Sequence, residues 1–258
     1  MKRLLQIIIY FIVSVQFSYA HDYESIKDLC QNLEEKYSIN IYFEDFPETT
    51  WEIGYTLADE TNYEKLYTYI LLFDEEFSKY PSSFIDKTNL EGVVFAHSLS
   101  ISNQYRTAIP DYYNEILLLD FIRGDYNKVY QRHVIHHEFY HMIEEEFNGN
   151  AYWKDPEWSE LNADGFKYGA GGSSVQGHSN VYSYTHPHEG FINLYSESAI
   201  EEDKAEMFAT LFVKEEFDKL NEWIPSDAIL MAKMDYMMNF LKTIDGAFSE
   251  EYWEELER

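Results

Sequence analysis

The segment His137-Glu138-Phe139-Tyr140-His141 holds the residues whose types and spacing have the clearest chemical meaning in this chain. His137 and His141 are four positions apart, so on a helix both imidazoles project from one face and can bind the same zinc ion. Glu138 is offset by one position, where its carboxylate can reach the attacking water instead of the metal. The pattern predicts a zinc site with a general base suited to peptide hydrolysis.

The helix that carries this pattern is predicted over Tyr126 to Phe147, which contains neither Gly nor Pro. Arg123-Gly124-Asp125 precedes it and supplies a turn and an N-cap. A histidine-rich helix with a solvated polar side is the alternative interpretation. Against it, apolar residues surround the motif: Val134, Ile135, Phe139, Met142 and Ile143. They place the imidazoles near the interior of the protein, where a buried polar group needs a bonding partner. His133 and His136 are interpreted as structural or supporting groups, because the Glu-x-x-His spacing selects His137 and His141.

A catalytic zinc site needs a third protein ligand and one open position. Glu202 and Glu206 lie one helical turn apart, so one can bind the metal while the other accepts a hydrogen bond from a ligating imidazole. Glu201 and Asp203 are interpreted as acidic residues at a helix start, where they favour the helix dipole. Spacing alone leaves the choice between Glu202 and Glu206 open.

These motifs resemble the gluzincin metallopeptidases, and most closely the anthrax-lethal-factor-like group, which includes the secreted Pro-Pro endopeptidases. The resemblance covers Ile135 to Leu211 and rests on Glu202, Glu206 and Phe208 after the His137 motif. It implies that one zinc ion per chain is held by His137, His141 and Glu202. It also implies that Glu206 accepts a hydrogen bond from a ligating imidazole and does not bind the metal itself. It further implies that Tyr195 stabilises the oxyanion.

A second stretch, from Asp155 to Asn162 and on to Gly165-Phe-Lys-Tyr168, is similar to microbial proteins named "putative zinc-binding metallopeptidases". Together the resemblances imply an α+β fold of the zincin type. In that fold a small sheet packs on the active-site helix, and a mainly helical part follows. We expect a single metallopeptidase domain over 21–258, with an N-terminal lobe at about 21–147 and a C-terminal lobe at about 148–258.

Hydrophobic periodicity predicts the elements that position the motif. Helices are expected at Tyr23 to Lys36 and Asn62 to Tyr80, and strands at Ile39 to Phe43, Val93 to Ile101 and Glu115 to Phe121. The strands should form a sheet with one edge facing the active cleft. A glycine-rich stretch at 148–189 reads as a long ordered loop, followed by helices at about 198–220 and from 226 to near the C-terminus.

The first twenty residues are typical of an export signal, with Lys2 and Arg3 before the apolar run Leu4 to Phe17 and the small-residue end at Ala20. We therefore expect a secreted or periplasmic protein that has no membrane association once residues 1–20 are removed. The only cysteine, Cys30, permits no internal disulfide and is interpreted as a small buried residue.

The chain carries 47 acidic and 19 basic residues and a formal net charge of −28. No segment clusters Lys and Arg, so nucleic acid is excluded as an expected partner, and a peptide or protein substrate is expected. The acidity favours solubility and can also draw cationic substrates toward a cleft. His178, His186 and His188 fall in the irregular stretch, and the sequence leaves their role open.

The leading function hypothesis is a zinc peptidase, with Glu138 as general base and Tyr195 as oxyanion donor. The alternative is a noncatalytic, zinc-stabilised secreted binding protein. Glu138 favours the peptidase, because a purely structural zinc site needs no base.

Overall fold

The structure, a computed structural model, describes residues 22–175, 180–256 and 258, so the predicted export signal lies outside the described residues. A short 3₁₀ turn occupies Gly172–Ser174. The helices and strands in chain order are α1 (Tyr23–Tyr37), β1 (Asn40–Tyr42), β2 (Ile53–Thr56), α2 (Tyr63–Phe77), α3 (Ser82–Lys87), β3 (Gly92–Ile101), β4 (Gln104–Tyr105), β5 (Ala108–Asp111), β6 (Ile116–Asp120), α4 (Lys128–Asn148), α5 (Pro156–Leu161), α6 (Ile200–Phe212), α7 (Lys214–Trp223), α8 (Ala228–Ile244) and α9 (Glu250–Glu255).

A mixed sheet forms the centre of the N-terminal part, with strand order β1-β3-β6-β5. β3 pairs in parallel with β1 and β6, while β5 runs antiparallel to β6 at the end of this path. β2 and β4 pair with the second half of β3. Side chains alternate across β3, so Val93 and Phe95 pack in the main helical core while Val94 and Ala96 pack in a smaller cluster on the other face. Burial on both faces explains why the central strands read as apolar runs.

The motif helix α4 packs against α2, α6 and the end strand β5. It ends at Gly149, whose φ of 69° is the left-handed conformation that glycine adopts easily. It begins after Asn127, whose side chain accepts a hydrogen bond from the backbone of Tyr130 at 3.3 Å. The prediction that Asp125 caps this helix is therefore wrong. Asp125 belongs to the preceding turn, and its carboxylate pairs with Lys65 at 2.6 Å.

The C-terminal part is mainly helical, as expected, but the predicted helix at 198–220 is two helices. α6 ends and α7 begins at Val213, which has an extended backbone with φ −95° and ψ 114°. Val213 is fully buried, and no Gly or Pro marks the break, so the apolar pattern runs through it unchanged. The stretch at 148–189 contains the short helix α5 and the 3₁₀ turn in addition to loop.

The small sheet, the helix packed on its end strand and the helical C-terminal part confirm the predicted mixed class of fold. The domain and lobe limits and the narrower gluzincin assignment stay predictions. Cys30 is 3% exposed, as expected for a buried residue, and burial raises the pKa of its thiol to about 12. Within the described ranges, no helix is both long and apolar enough to span a bilayer.

Candidate metal centre

His137, His141 and Glu202 come together where α6 packs on α4. Nε2 of His137 lies 3.1 Å from Oε2 of Glu202, and Nε2 of His141 lies 3.6 Å from the same oxygen. The four-residue spacing along α4 directs both rings to the side that α6 covers. Two helices distant in sequence therefore present two imidazoles and one carboxylate to a single point.

This set of donors fits a zinc ion. One ligand atom from each of His137, His141 and Glu202 can be chosen so that all three lie within 4.8 Å of one another. Two imidazole nitrogens and one carboxylate oxygen form a set that zinc prefers in catalytic sites, and they leave the fourth position open. The three side chains also border a surface cleft, so a substrate can approach that position.

Glu206, one turn further along α6, approaches the other nitrogen of the same imidazole. Its Oε1 lies 3.1 Å from Nδ1 of His137, while Asn193 donates a hydrogen bond to its Oε2 at 2.6 Å. A carboxylate behind a ligating imidazole fixes the orientation of the ring and raises its basicity. The geometry agrees with the supporting position that the resemblance implies for Glu206.

A second group, His133, His137 and Glu206, also has ligand atoms within 4.8 Å of one another. Here, however, both nitrogens of His133 already face carboxylates: Nε2 lies 3.1 Å from Glu206 and Nδ1 lies 2.9 Å from Glu216. Tyr184 donates a further hydrogen bond to Glu216 at 2.9 Å. All three side chains of this group are buried, whereas His141 and Glu202 are partly open. A catalytic metal needs an open position, which favours the first group.

Opposite charges stabilise each other among the side chains of this centre. Burial by itself would lower the pKa of His137, but its hydrogen bonds to Glu202 and Glu206 outweigh burial and raise this pKa to about 10. Burial would raise the pKa of Glu202, yet the hydrogen bonds from His137 and His141 lower it to about 2. At neutral pH the centre therefore pairs an imidazolium with carboxylates.

Zinc uptake at pH 7 should release at least one proton. The pKa of His137 lies above 7 without metal, so the ring is protonated there, and zinc binds only the neutral imidazole. We expect the zinc affinity to rise by roughly tenfold per pH unit for each proton released. Calorimetric titration in buffers of different ionisation enthalpy counts these protons. An affinity that is constant between pH 6 and pH 8 would contradict the ion-paired description.

Glu138 follows His137 on α4 and lines the cleft. Burial raises the pKa of its carboxyl, while His137 and His141 act in the opposite direction. A carboxylate whose pKa is raised toward neutrality is a better proton acceptor than an exposed one. The side chain therefore lies where a general base is needed, and its burial makes it a stronger proton acceptor.

Tyr195 lines the cleft together with His137, and the centroids of the two rings are 5.8 Å apart. Burial, followed by the negative charge of Glu202, raises the pKa of its hydroxyl well above the usual value. The hydroxyl therefore stays protonated at neutral pH and can donate a hydrogen bond. Tyr182 packs on Tyr195 with ring centroids 4.7 Å apart and holds it in place.

Gly172 makes room for this arrangement, a feature that no sequence motif predicts. A Cβ atom at this position would collide with the carboxylate of Glu202 and the hydroxyl of Tyr195. The Glu202 carboxylate and the Tyr195 hydroxyl would have to move to make room for it. At one position of the glycine-rich run at 169–172, the lack of a side chain thus has a steric reason.

Gly172→Ala is expected to weaken zinc binding by about 10- to 100-fold, because the added methyl displaces the Glu202 carboxylate. Titration with zinc against a competing chelator measures the change. Gly246→Ala is the matched control, since a Cβ there meets nothing within 4 Å. A folded Gly172→Ala chain with unchanged zinc affinity would contradict the proposed contact.

His136 points away from the centre, which confirms its predicted structural role. Its Nε2 lies 2.7 Å from Oε2 of Glu76, and its Nδ1 contacts the hydroxyl of Tyr80. Lys79 pairs with the same glutamate at 2.5 Å. Both nitrogens of this fully buried ring are therefore used within the core.

The two described histidines of the irregular stretch, His186 and His188, lie outside this centre. His178 falls outside the described residues. His186 donates a hydrogen bond from Nδ1 to the backbone oxygen of Phe191 at 3.0 Å, and its ring stacks on Trp223. His188 is exposed and pairs with Glu197 at 2.5 Å. Neither described histidine belongs to the groups that could hold a metal.

The two acidic residues on either side of Glu202, Glu201 and Asp203, are both buried. Asp203 is buried and accepts hydrogen bonds from Trp158 at 2.8 Å, Tyr168 at 2.6 Å and Lys233 at 2.7 Å. It anchors α5 and α8 to α6, so the interpretation of Asp203 as a dipole residue alone is wrong. Glu201 is also buried, with 6% of its surface exposed.

The cleft extends to both sides of the centre. One hollow of about 730 Å³ and another of about 650 Å³ share five lining residues: Arg106, Ala108, His137, Glu138 and Tyr195. The end strand β5 forms part of the wall through Ala108 to Pro110. An edge of the sheet therefore lies at the cleft, as predicted, but the strand that forms this edge, β5, was not among the predicted strands.

Comparisons with known proteins agree with this geometry. A family model described as "Putative zinc-binding metallo-peptidase" matches residues 113–245, which include α4 and α6. A solved structure titled as a putative zinc-binding metallo-peptidase from Bacteroides caccae ATCC 43185 has a similar fold, with a TM-score of 0.52 and 15% identity. The match covers 90% of this chain and 92% of that chain. No curated protein matches. The family match confirms the resemblance drawn from Asp155 to Tyr168, whereas the lethal-factor-like resemblance stays a prediction.

Proposed function

The chain belongs to the family described as "Putative zinc-binding metallo-peptidase", and from this premise we propose that it is a zinc-dependent peptidase. His137, His141 and Glu202 would hold one zinc ion, and Glu138 would act as the general base. The observation that carries the proposal is the location of Glu138 in an open cleft beside three converging metal-ligand side chains. A site that only stabilised the fold would need neither the base nor the cleft.

Zinc, when bound, supplies Lewis-acid chemistry: it polarises the scissile carbonyl and makes water more acidic. The carboxylate of Glu138 accepts the proton that the attacking water loses. Once protonated, Glu138 delivers this proton to the nitrogen of the leaving amine, and the base is regenerated. The raised pKa of Glu138 suits both steps, because it brings acceptance and donation closer to balance at neutral pH.

The hydroxyl of Tyr195 donates a hydrogen bond to the carbonyl oxygen as that oxygen gains negative charge. The same residue also contacts Glu202, so its hydroxyl is held at the centre before substrate arrives. Glu206 and Asn193 act indirectly, since they hold the ring of His137 in one orientation. Each described side chain of the centre thereby has a binding, positioning or proton-transfer role.

An extended peptide is the substrate that the cleft accommodates best. β5 ends the path of the sheet and borders both hollows. Its outer edge pairs with no other strand in the described part of the chain, so this edge can pair with a peptide backbone. The hollows on either side of Glu138 accept residues before and after the scissile bond. We propose a peptide or protein substrate on this basis.

The remaining parts of the proposal rest on sequence. Secretion or export to the periplasm rests on residues 2–20, which precede the described part of the chain. Membership of the lethal-factor-like gluzincins rests on the register of Glu202, Glu206, Phe208 and Tyr195. The strong negative charge argues against nucleic acid as a partner.

Chelation followed by zinc titration tests the proposed activity. Hydrolysis of a peptide mixture should stop after chelation and return in proportion to added zinc, with saturation near one ion per chain. A chain that binds one zinc ion and captures peptides without hydrolysing them would instead be the noncatalytic binding protein. Full hydrolysis by the chelated chain would contradict a metal-dependent mechanism.

A further inference from the structure

Glu201 is a buried carboxylate without a partner at the wall of the cleft. It is 6% exposed, and its Oε2 has no hydrogen-bond partner in the described part of the chain. None of the ion pairs among residues 22–175, 180–256 and 258 involves it. It nevertheless lines the 650 Å³ hollow that also contains His137, Glu138 and Glu202.

This situation differs from that of the other buried acids around α6. Glu202 faces His137 and His141, Asp203 faces Lys233, and Glu206 faces His133. Burying a carboxylate without a counter-charge or a full set of hydrogen bonds is unfavourable. The position near the start of α6 offsets part of this cost through the helix dipole but provides no donor for Oε2. A cation that enters the hollow from solution would supply the counter-charge and the hydrogen-bond donor that Glu201 lacks.

The aromatic residues that line the same hollow as Glu201 favour a long basic side chain as that cation. Trp51, Tyr112 and Tyr152 line the same hollow, and the ring centroids of Trp51 and Tyr112 are 5.6 Å apart. Tyr152 is 58% exposed, so its ring surface is open to a ligand. Aromatic faces pack against the methylene groups of Lys and Arg and attract their charge. A free α-amine has no such stem, so the aromatic wall gives it no comparable contact.

We propose that Glu201 and the aromatic wall formed by Trp51, Tyr112 and Tyr152 are a subsite for a Lys or Arg side chain of a bound peptide. This inference rests on the proposed peptidase function, since it assigns one side of the same cleft. The charge of the whole chain acts in the same direction, because a net charge of −28 attracts cationic peptides before they bind.

Peptide affinities measured without turnover test the subsite. The zinc-loaded Glu138→Gln chain is titrated with blocked peptides in which one residue is moved along a neutral sequence. Lysine is compared with norleucine and arginine with citrulline, so only the charge and its hydrogen bonds differ. At one position the basic peptide should bind about 10- to 100-fold more tightly than its neutral counterpart, as expected for a charge-assisted hydrogen bond.

Adding Glu201→Gln should reduce this preference to within about threefold, while zinc content and thermal unfolding verify that the centre is intact. Glu251→Gln is the matched control, because Glu251 is also the second residue of its helix but is exposed and lies outside the cleft. The control should keep the full preference, which separates the subsite from the overall charge. A preference that survives Glu201→Gln, or that is absent at every position, overturns the proposal.

Two further measurements distinguish the subsite from recognition of the N-terminal amine and from the peptidase function itself. If an unblocked norleucine peptide shows the gain and Glu201→Gln removes it, the cation is the N-terminal amine and the side-chain subsite is overturned. Hydrolysis of the same peptides is then measured with the zinc-loaded native chain. Cleavage without any preference for Lys or Arg overturns the subsite and leaves the peptidase function standing. Charge-dependent binding without cleavage supports the subsite and overturns the peptidase function.

Discussion

Glu202→Ala is expected to lower the zinc affinity by more than about 100-fold and to abolish peptide hydrolysis with it. Among the described residues, Glu202 supplies the one carboxylate that lies near Nε2 of both His137 and His141, at 3.1 and 3.6 Å, and the substitution removes it. Two imidazoles alone leave the site short of a ligand and of its negative charge. Competition between the chain and a chelator measures the loss.

Glu206→Ala is the informative comparison, because Glu206 lies on the same helix one turn away and contacts His137 from its other side. We expect it to weaken zinc binding by about 10- to 100-fold, as is usual for a group that orients a ligand. The order of the two variants therefore identifies the ligand. If Glu206→Ala lost the metal and Glu202→Ala kept native affinity, the register would be wrong by one turn, and the role of Tyr195 would fall with it.

Glu138→Gln is expected to retain zinc and to lower kcat/KM by roughly 100- to 10,000-fold, which is the range for loss of a general base. The amide keeps the size of the side chain but cannot accept a proton from water. Zinc content by elemental analysis and initial rates on a peptide substrate measure the two effects separately. Glu146→Gln, an exposed glutamate on the same helix, is the matched control and should keep both zinc and activity.

A Glu138→Gln chain that hydrolysed peptides at the native rate would refute the assigned base. Loss of zinc in this variant would instead assign Glu138 to the metal. The structure argues against that second result, because the metal-ligand groups among the described residues do not include Glu138.

The helices and strands with strong periodicity were predictable from the sequence. α1, α2 and β3 begin within one residue of their predicted starts because their apolar residues repeat with a single period. The break at Val213 and the cap at Asn127 were not predictable. Both depend on which of several acceptable residues takes a role once the chain packs, and buried Val213 continues the apolar pattern of its neighbours.

Some residues of the candidate centre were also predictable from the sequence, and others were not. His137, Glu138 and His141 are close in sequence, so helical geometry alone brings them together. Asn193, Glu216 and Gly172 enter through contacts between distant segments, and their residue types carry no local signal. Glu201 was interpreted as an acid at a helix start, where it favours the helix dipole, and the sequence carries no local signal for its burial. Its burial follows from how the cleft wall packs against α6.

The central claim is that Glu138 and a bound zinc ion hydrolyse peptide bonds in this cleft. The most direct measurement incubates a defined peptide library with the zinc-loaded native chain, the zinc-loaded Glu138→Gln chain and the chelated native chain, and identifies new peptide termini by mass spectrometry. We predict new termini with the zinc-loaded native chain and a nearly complete loss of them in the other two samples. Identical termini in all three samples, or none in any of them, would contradict the account.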